Sequence, residues 1–293
     1  MPLATSHQIL TFHFRVKSKR RNSSLHVSLL QNPWPEPGDA PPDIPPPPRP
    51  SAAENPPWNG FDVLSIVGVA VIALVILPLI VVVFAHLLVF RKLSLSEIVQ
   101  VPEVVLAVQV LIYAVVFGLM FRLMRLRAGQ FWAPLRWNWP NSWAGFLILG
   151  ALLYFALMGL GQLLPIPKHL PIDRFFQTSR QAAMMSVLSV TLAPFMEELF
   201  FRGLLYPVLA RRFGVAVSIF LTGAAFGILH GAQLKYSWAV LIIFIVGVVL
   251  TAVRAYTKSV GASFLVHAAY NGTLSALLFV ATDGFRHLEK ISS

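Results

Sequence analysis

Seven apolar segments follow one another between residues 63 and 281, and each is close to the length that crosses a lipid bilayer. A bilayer core takes roughly 20 apolar helical residues, and within it a helix satisfies its own backbone hydrogen bonds. The pattern therefore predicts an all-α, polytopic bundle of about seven transmembrane helices. The predicted spans are Val63–Phe90, Val104–Leu123, Trp143–Leu164, Ala182–Ala210, Val215–Leu229, Trp238–Val253 and Ala262–Ala281.

Composition agrees with a membrane protein. Only 12% of the residues are charged, against about 25% in typical soluble domains. The net charge of +11 comes mostly from the N-terminal tail and from the ends of apolar segments, which is how membrane proteins are anchored and oriented. We therefore expect the lipid bilayer as a partner and no nucleic acid. The chain has no cysteine, which excludes disulfides, thiolate metal ligands and a cysteine nucleophile.

Residues 1–60 differ from the rest of the chain. They contain a basic cluster between Arg15 and Arg21 and a proline-rich run from Pro33 to Pro57. Such a run favours extended polyproline II structure and cannot pack a core. The sequence predicts a disordered tail over 1–60 and a helical membrane domain over 61–293. A solvated linker, a ligand for a proline-binding module and a lipid-contacting arm are all open interpretations of the tail.

Two adjacent carboxylates, Glu197 and Glu198, lie well inside an apolar segment, unlike the other acidic residues of the chain. A charge in the membrane interior costs a few kcal/mol or more and usually marks a functional site. Further polar residues lie in the same span and in or next to the fifth and seventh spans. They are Arg202 in the fourth span, His230 at the end of the fifth, and His267 and Asn271 in the seventh. Glu198 with Arg202, and His267 with Asn271, are spaced i and i+4, so each pair projects from one helical face.

This inventory suits hydrolysis of a peptide bond without a covalent nucleophile. A carboxylate beside an imidazole can deprotonate a water molecule, and imidazole and carboxamide N–H groups can stabilise the resulting oxyanion. Two histidines and one glutamate can also hold zinc with one open position. In a packing interpretation, the same residues are only a buried ion pair and interhelical hydrogen bonds. In a proton-coupled transporter they would relay protons, although the chain shows no internal repeat.

Three motifs then stand in order: Glu-Glu-x-x-x-Arg at 197–202, Phe-x-x-x-His at 226–230 and His-x-x-x-Asn at 267–271. Together they resemble the CPBP intramembrane proteases, which include CAAX prenyl endopeptidases and bacteriocin-processing and immunity-associated proteins. The resemblance covers roughly residues 140–281 and implies a catalytic core there. The chain has no His-Glu-x-x-His motif and therefore does not resemble the zinc proteases that carry it.

The resemblance implies a role for each motif residue. Glu197 and His230 would together activate water. The oxyanion hole would be formed by His267 and Asn271. Glu198 and Arg202 would orient the site, and Phe226 would be a packing residue. A metal-free mechanism is favoured. A zinc-dependent one would use Glu197, His230 and His267.

The expected substrate is a peptide or membrane protein, and the expected location is a bacterial inner membrane, because nothing in the chain indicates a eukaryotic origin. The alternative is a non-catalytic scaffold or immunity protein with the same fold. The oligomeric state is not readable from the sequence.

Overall fold

The computed structural model describes residues 54–289, and within them every regular element is helical, which confirms the prediction of an all-α protein. Six helical stretches of this part are long and apolar enough to cross a membrane, and the predicted fifth span forms a shorter apolar helix. The predicted disordered tail covers residues 1–60, of which residues 1–53 lie outside the described residues. In the remainder, Trp58 is buried and Gly60 begins the first helix. The helices are α1 (Gly60–Leu88), α2 (Leu95–Ile98), α3 (Pro102–Ala128), α4 (Ala144–Gly161), α5 (Ser179–Val190), α6 (Leu192–Glu198), α7 (Tyr206–Phe213), α8 (Val215–Leu229), α9 (Ala239–Thr257) and α10 (Val260–Ala281).

The first two long helices, α1 and α3, pack against each other. A capping box formed by Asn59 and Asp62 starts α1 by satisfying backbone N–H groups of its first turn. Asp62 also accepts a hydrogen bond from Arg127 at the end of α3, at 2.8 Å. At that end Gly129 adopts the left-handed conformation (φ 71°) that glycine tolerates and that terminates a helix. Local signals therefore set the start of α1 and the end of α3, and the hydrogen bond between Asp62 and Arg127 joins the two ends.

The predicted fourth span is not one regular helix. It divides into α5, α6, a π-helical segment (Leu199–Leu205) and α7. The break falls at Thr191 (φ −116°, ψ −85°), three residues before Pro194. Proline has no N–H and cannot bond to the carbonyl four residues earlier, so a helix weakens there. The π-helical turn follows directly after Glu198, and π-helical turns are frequent at functional sites.

Glycines set the closest helix contacts around the candidate site. A Cβ at Gly247 of α9 would lie 2.9 Å from Gly223 Cα of α8, and a Cβ at Gly150 of α4 would lie 2.7 Å from Ala269 Cβ of α10. Small residues allow membrane helices to approach each other closely. The helices α8, α9 and α10 thereby enclose the π-helical segment.

The outward faces of the long helices are apolar. On α1, for example, Leu64, Leu79 and Leu88 are each more than 60% exposed. A continuous apolar surface of this kind is not stable in water and suits contact with lipid. The chain is an integral membrane protein.

Candidate active site

The six predicted site residues converge from three helical regions. Glu197 and Glu198 end α6, Arg202 lies in the π-helical segment, His230 caps α8, and His267 and Asn271 lie one turn apart on α10. Four of them face a cavity of about 620 Å³, namely Glu197, His230, His267 and Asn271. Glu198 and Arg202 lie behind this group and are fully buried.

Glu198 is the centre of the buried layer. Its Oε1 accepts a hydrogen bond from Arg202 Nη1 at 2.9 Å and lies 2.9 Å from Nδ1 of His267. Its Oε2 accepts a hydrogen bond from the Ser263 hydroxyl at 2.6 Å. A buried carboxylate is stable only when charged or polar partners replace its lost hydration. Glu198 therefore joins the π-helical segment to α10 and fixes the ring of His267.

Arg202 is held on every side. Its Nη2 donates to the Gly247 carbonyl at 3.0 Å, and its Nε donates to the Thr251 hydroxyl at 3.3 Å, both on α9. Its guanidinium lies 4.7 Å from the ring centroid of Phe226, a separation that allows a cation–π interaction. Arg202 thus ties the glutamate-bearing helix to α9 and to the aromatic residue of the second motif.

Glu197 faces the cavity between two imidazoles. Its Oε1 lies 3.8 Å from His230 Nε2 and its Oε2 lies 3.7 Å from His267 Nε2. These separations exceed a direct hydrogen bond and leave room for a bridging water. Its side chain is 16% exposed, so the carboxylate is sheltered but reachable from the cavity.

The hydrogen bonds of the two histidines define which ring nitrogen faces Glu197. His230 Nδ1 lies 2.9 Å from the Phe226 carbonyl, and His267 Nδ1 lies 2.9 Å from the Glu198 carboxylate. Because both partners are acceptors, each Nδ1 carries a proton. Each neutral ring therefore presents an Nε2 lone pair to Glu197. Only a doubly protonated imidazole can donate a hydrogen bond from that side.

Asn271 lines the same cavity and already makes one contact. Its Nδ2 donates to the carbonyl of Ser189 on α5 at 2.7 Å. A carboxamide nitrogen carries two hydrogens, so the second N–H is available to another acceptor. The bond to Ser189 holds the carboxamide in place and links α10 to the helix before the Thr191 break.

Several residues of the site were not anticipated from the sequence. Ser263 and Thr251 bind the buried pair, and Gln109 and Tyr113 of α3 line the same cavity as Glu197. The i and i+4 spacing of Gln109 and Tyr113 inside an apolar span was the signal that could have revealed them.

The residues suggested for zinc do not form a recognisable metal centre. No three His, Cys, Asp or Glu side chains among residues 54–289 are grouped as a metal ion requires. Glu197, His230 and His267 are the residues that a zinc-dependent mechanism would use, at the separations given above.

Comparison with known proteins gives one match. Residues 179–273 match the family model described as type II CAAX prenyl endopeptidase Rce1-like. Searches of curated proteins and of solved structures found no match. The matched segment contains all six predicted site residues, the break at Thr191 and the π-helical segment. The match bears out the resemblance to CPBP proteases, and over residues 179–273 this membrane protein is similar to the Rce1-like family.

Proposed function

We propose that the protein is an intramembrane endopeptidase in which Glu197 activates a water molecule for attack on a peptide carbonyl. The observation that carries this proposal is the position of the Glu197 carboxylate. It faces a cavity, has an imidazole within 4 Å on each side, and is backed by the buried Glu198–Arg202 pair. The family match supports a protease.

The reaction begins with a water molecule between Glu197 and His230. Glu197 accepts a proton from this water while the oxygen attacks the carbonyl carbon, which gives a tetrahedral oxyanion. The C–N bond then breaks, and the proton held by Glu197 passes to the leaving amine. His230, fixed by its bond to the Phe226 carbonyl, accepts a hydrogen bond from the attacking water through Nε2.

His267 and Asn271 stabilise the oxyanion. For His267 this requires a proton on Nε2 in addition to that on Nδ1, so the ring acts as an imidazolium. The Glu198 carboxylate at 2.9 Å supports that charge, as a carboxylate supports the imidazolium of a catalytic triad. Glu197, Glu198, Arg202 and an imidazolium His267 then sum to zero net charge, which suits a buried site. Asn271 contributes its free amide N–H.

The substrate class and location are part of the proposal. The cavity is of the size that holds small ligands or a short peptide segment, and the matched family is named for endopeptidases of prenylated CAAX proteins. We propose a peptide or membrane-protein substrate that enters from the bilayer, and a bacterial inner membrane as the location. An unprenylated substrate is favoured, since most bacteria do not prenylate proteins.

The test is cleavage of a quenched peptide library, with and without a farnesylated cysteine, by the purified protein in detergent. Glu197→Gln is expected to abolish cleavage, whereas Glu103→Gln is expected to leave it unchanged. Glu103 is a matched control because it is half-exposed and pairs with Arg180 at the surface. Cleavage that persists in Glu197→Gln would refute the proposed role of Glu197.

A chelator separates the two mechanisms. Cleavage that withstands chelation supports water activation by Glu197 alone, and cleavage lost to chelation but restored by added zinc indicates a metal enzyme. Wild-type protein that cleaves no peptide of the library would favour the non-catalytic scaffold.

A further inference from the structure

A short segment before α1 contacts the π-helical segment that directly follows Glu197 and Glu198 of α6. Trp58 is 1% exposed, and its Nε1 donates to the Leu204 carbonyl in the π-helical segment at 2.9 Å. Its ring packs in one apolar cluster with Leu199 and Leu204. Leu199 directly follows Glu198 in the chain. Trp58 belongs to the proline-rich tail by composition, which gives no reason to expect a buried aromatic side chain there.

The backbone of the same segment is also held. Arg211 of α7 donates one hydrogen bond to the Pro56 carbonyl at 2.9 Å and another to the Trp58 carbonyl at 3.0 Å. Backbone carbonyls that lose water need such donors. The segment therefore contacts the glutamate-bearing helix at two places, Leu204 and Arg211, which lie about two turns apart.

The other end of the segment is fixed by charge. Glu54 is 3% exposed. Its Oε1 lies 3.0 Å from Nη1 of Arg254 on α9 and 3.8 Å from Nζ of Lys258, and its Oε2 lies 3.5 Å from Nη2 of Arg136. Arg254 is itself fully buried. Removal of one partner from a buried ion cluster is strongly destabilising, so Glu54 anchors the segment to α9.

The two attachments meet at Arg202. The helix held by Trp58 contains Arg202, and the helix held by Glu54 contains Gly247 and Thr251, which bind Arg202. The segment thus bridges the two helices whose relative position sets the Glu198–Arg202 pair. It lies outside residues 179–273, so the family match does not account for it.

We propose that residues 54–58 form an N-terminal strap that positions the helix bearing Glu197 and Glu198, and that Trp58 is a positioning residue for catalysis. This proposal rests on the proposed protease function. The strap acts through the π-helical segment, and none of its residues lines the cavity. Its loss is expected to lower the rate of the chemical step and to leave substrate binding nearly unchanged.

The first test is Trp58→Phe, which keeps an aromatic ring but removes the N–H donor. We expect kcat to fall about fivefold, since a net hydrogen bond is worth roughly 1 kcal/mol, with KM unchanged. Trp143→Phe is the matched control, because Trp143 is half-exposed in the loop before α4. Both are measured well below the unfolding temperature, so that a mere loss of stability does not lower kcat.

A second readout does not depend on cleavage. Because the chain has no cysteine, Ala193→Cys introduces a single thiol on α6 at the cavity wall. Its rate of reaction with a water-soluble maleimide reports the position of the glutamate-bearing helix. We expect Trp58→Phe, in the Ala193→Cys background, to change this rate at least about twofold through the lost contact, and Trp143→Phe to leave it unchanged.

An unchanged labelling rate in Trp58→Phe would overturn the strap, whatever happens to kcat. A changed rate with unchanged kcat would overturn its role in catalysis. If the wild type cleaves nothing, labelling alone decides whether the strap positions the helix, and the failure belongs to the proposed function. A pair of deletions gives a further check: removal of residues 2–53 should match the full chain, and removal of residues 2–58, which also removes the Glu54 anchor, should lower kcat more than Trp58→Phe does.

Discussion

Replacement of Glu198 by glutamine tests the buried charge pair most directly. Glutamine has the size of glutamate and keeps one oxygen to accept the hydrogen bond of Arg202, which now lies at 2.9 Å. The Ser263 hydroxyl can turn fully to the Val260 carbonyl, to which it already donates at 3.0 Å. The substitution therefore changes charge with little change in shape.

The free-energy cost of Glu198→Gln follows from the partners that Arg202 keeps and the one that it loses. Its bonds to the Gly247 carbonyl and the Thr251 hydroxyl remain, but its guanidinium, 0% exposed, loses its paired carboxylate. Breaking a buried pair in this way costs about 3–5 kcal/mol. Replacing both partners removes the uncompensated charge, so Glu198→Gln with Arg202→Met is expected to recover about 1–4 kcal/mol of the loss.

The assay is reversible unfolding in mixed micelles, titrated with a denaturing detergent, for the two single variants and the double variant. We expect a coupling free energy of about 3 kcal/mol between the two positions. The control is the exposed pair of Glu103 and Arg180, 2.8 Å apart, for which surface ion pairs predict about 0–1 kcal/mol. A Glu198→Gln cost below about 1 kcal/mol, or additive losses in the double variant, would refute the reasoning.

Three further predictions concern residues around the pair. Tyr113→Phe removes a hydroxyl from the cavity wall and is expected to raise KM about fivefold, the loss of roughly one hydrogen bond to substrate; equal KM values across the peptide library would contradict this. Gly247→Ala places a Cβ 2.9 Å from Gly223 Cα and should cost about 1–3 kcal/mol of stability by overpacking; Gly118→Ala, with nothing within 4 Å, is its control, and equal unfolding free energies would be the contrary result. Pro194→Ala restores a backbone donor at the helix break and should slow cleavage about tenfold by moving the Glu197 carboxylate that activates the water, since a 1 Å misplacement can cost up to about 100-fold; an unchanged cleavage rate would show that the proline does not shape the site.

The spans were largely predictable, because length and apolarity decide whether a helix can cross a bilayer. The predicted segment Val215–Leu229 has the observed bounds of α8, and the predicted segment Ala262–Ala281 differs from α10 by two residues at its start. The internal structure of the fourth segment was not predictable from these criteria. Apolar periodicity does not separate an α-helical turn from a π-helical one, and Pro194 signals a weak point without locating the break at Thr191.

The site was predictable where its residues are costly and locally spaced. Charged and polar groups in an apolar span stand out, and i, i+4 spacing places two of them on one face. This reasoning selected Glu198 with Arg202, and the structure brings them together at 2.9 Å. Ser263 is different, because serine is common at membrane helix interfaces without any catalytic role. Only the approach of α10 to the π-helical segment shows that its hydroxyl binds Glu198.

Sequence separation explains why the strap could not be foreseen. The bond from Trp58 to Leu204 joins residues 146 positions apart, and the bond from Arg254 to Glu54 joins residues 200 positions apart. Local rules of spacing and capping act over four or five residues, so they interpret Glu54 and Trp58 only by their proline-rich neighbours. What distinguishes these two residues is the chemistry of their distant partners. The strap supplies a donor and an aromatic ring to the π-helical segment that buries the guanidinium of Arg202, and it supplies a carboxylate to Arg254 of α9. The boundary of the functional unit therefore follows contacts rather than composition, and places residues 54–58 with the membrane domain.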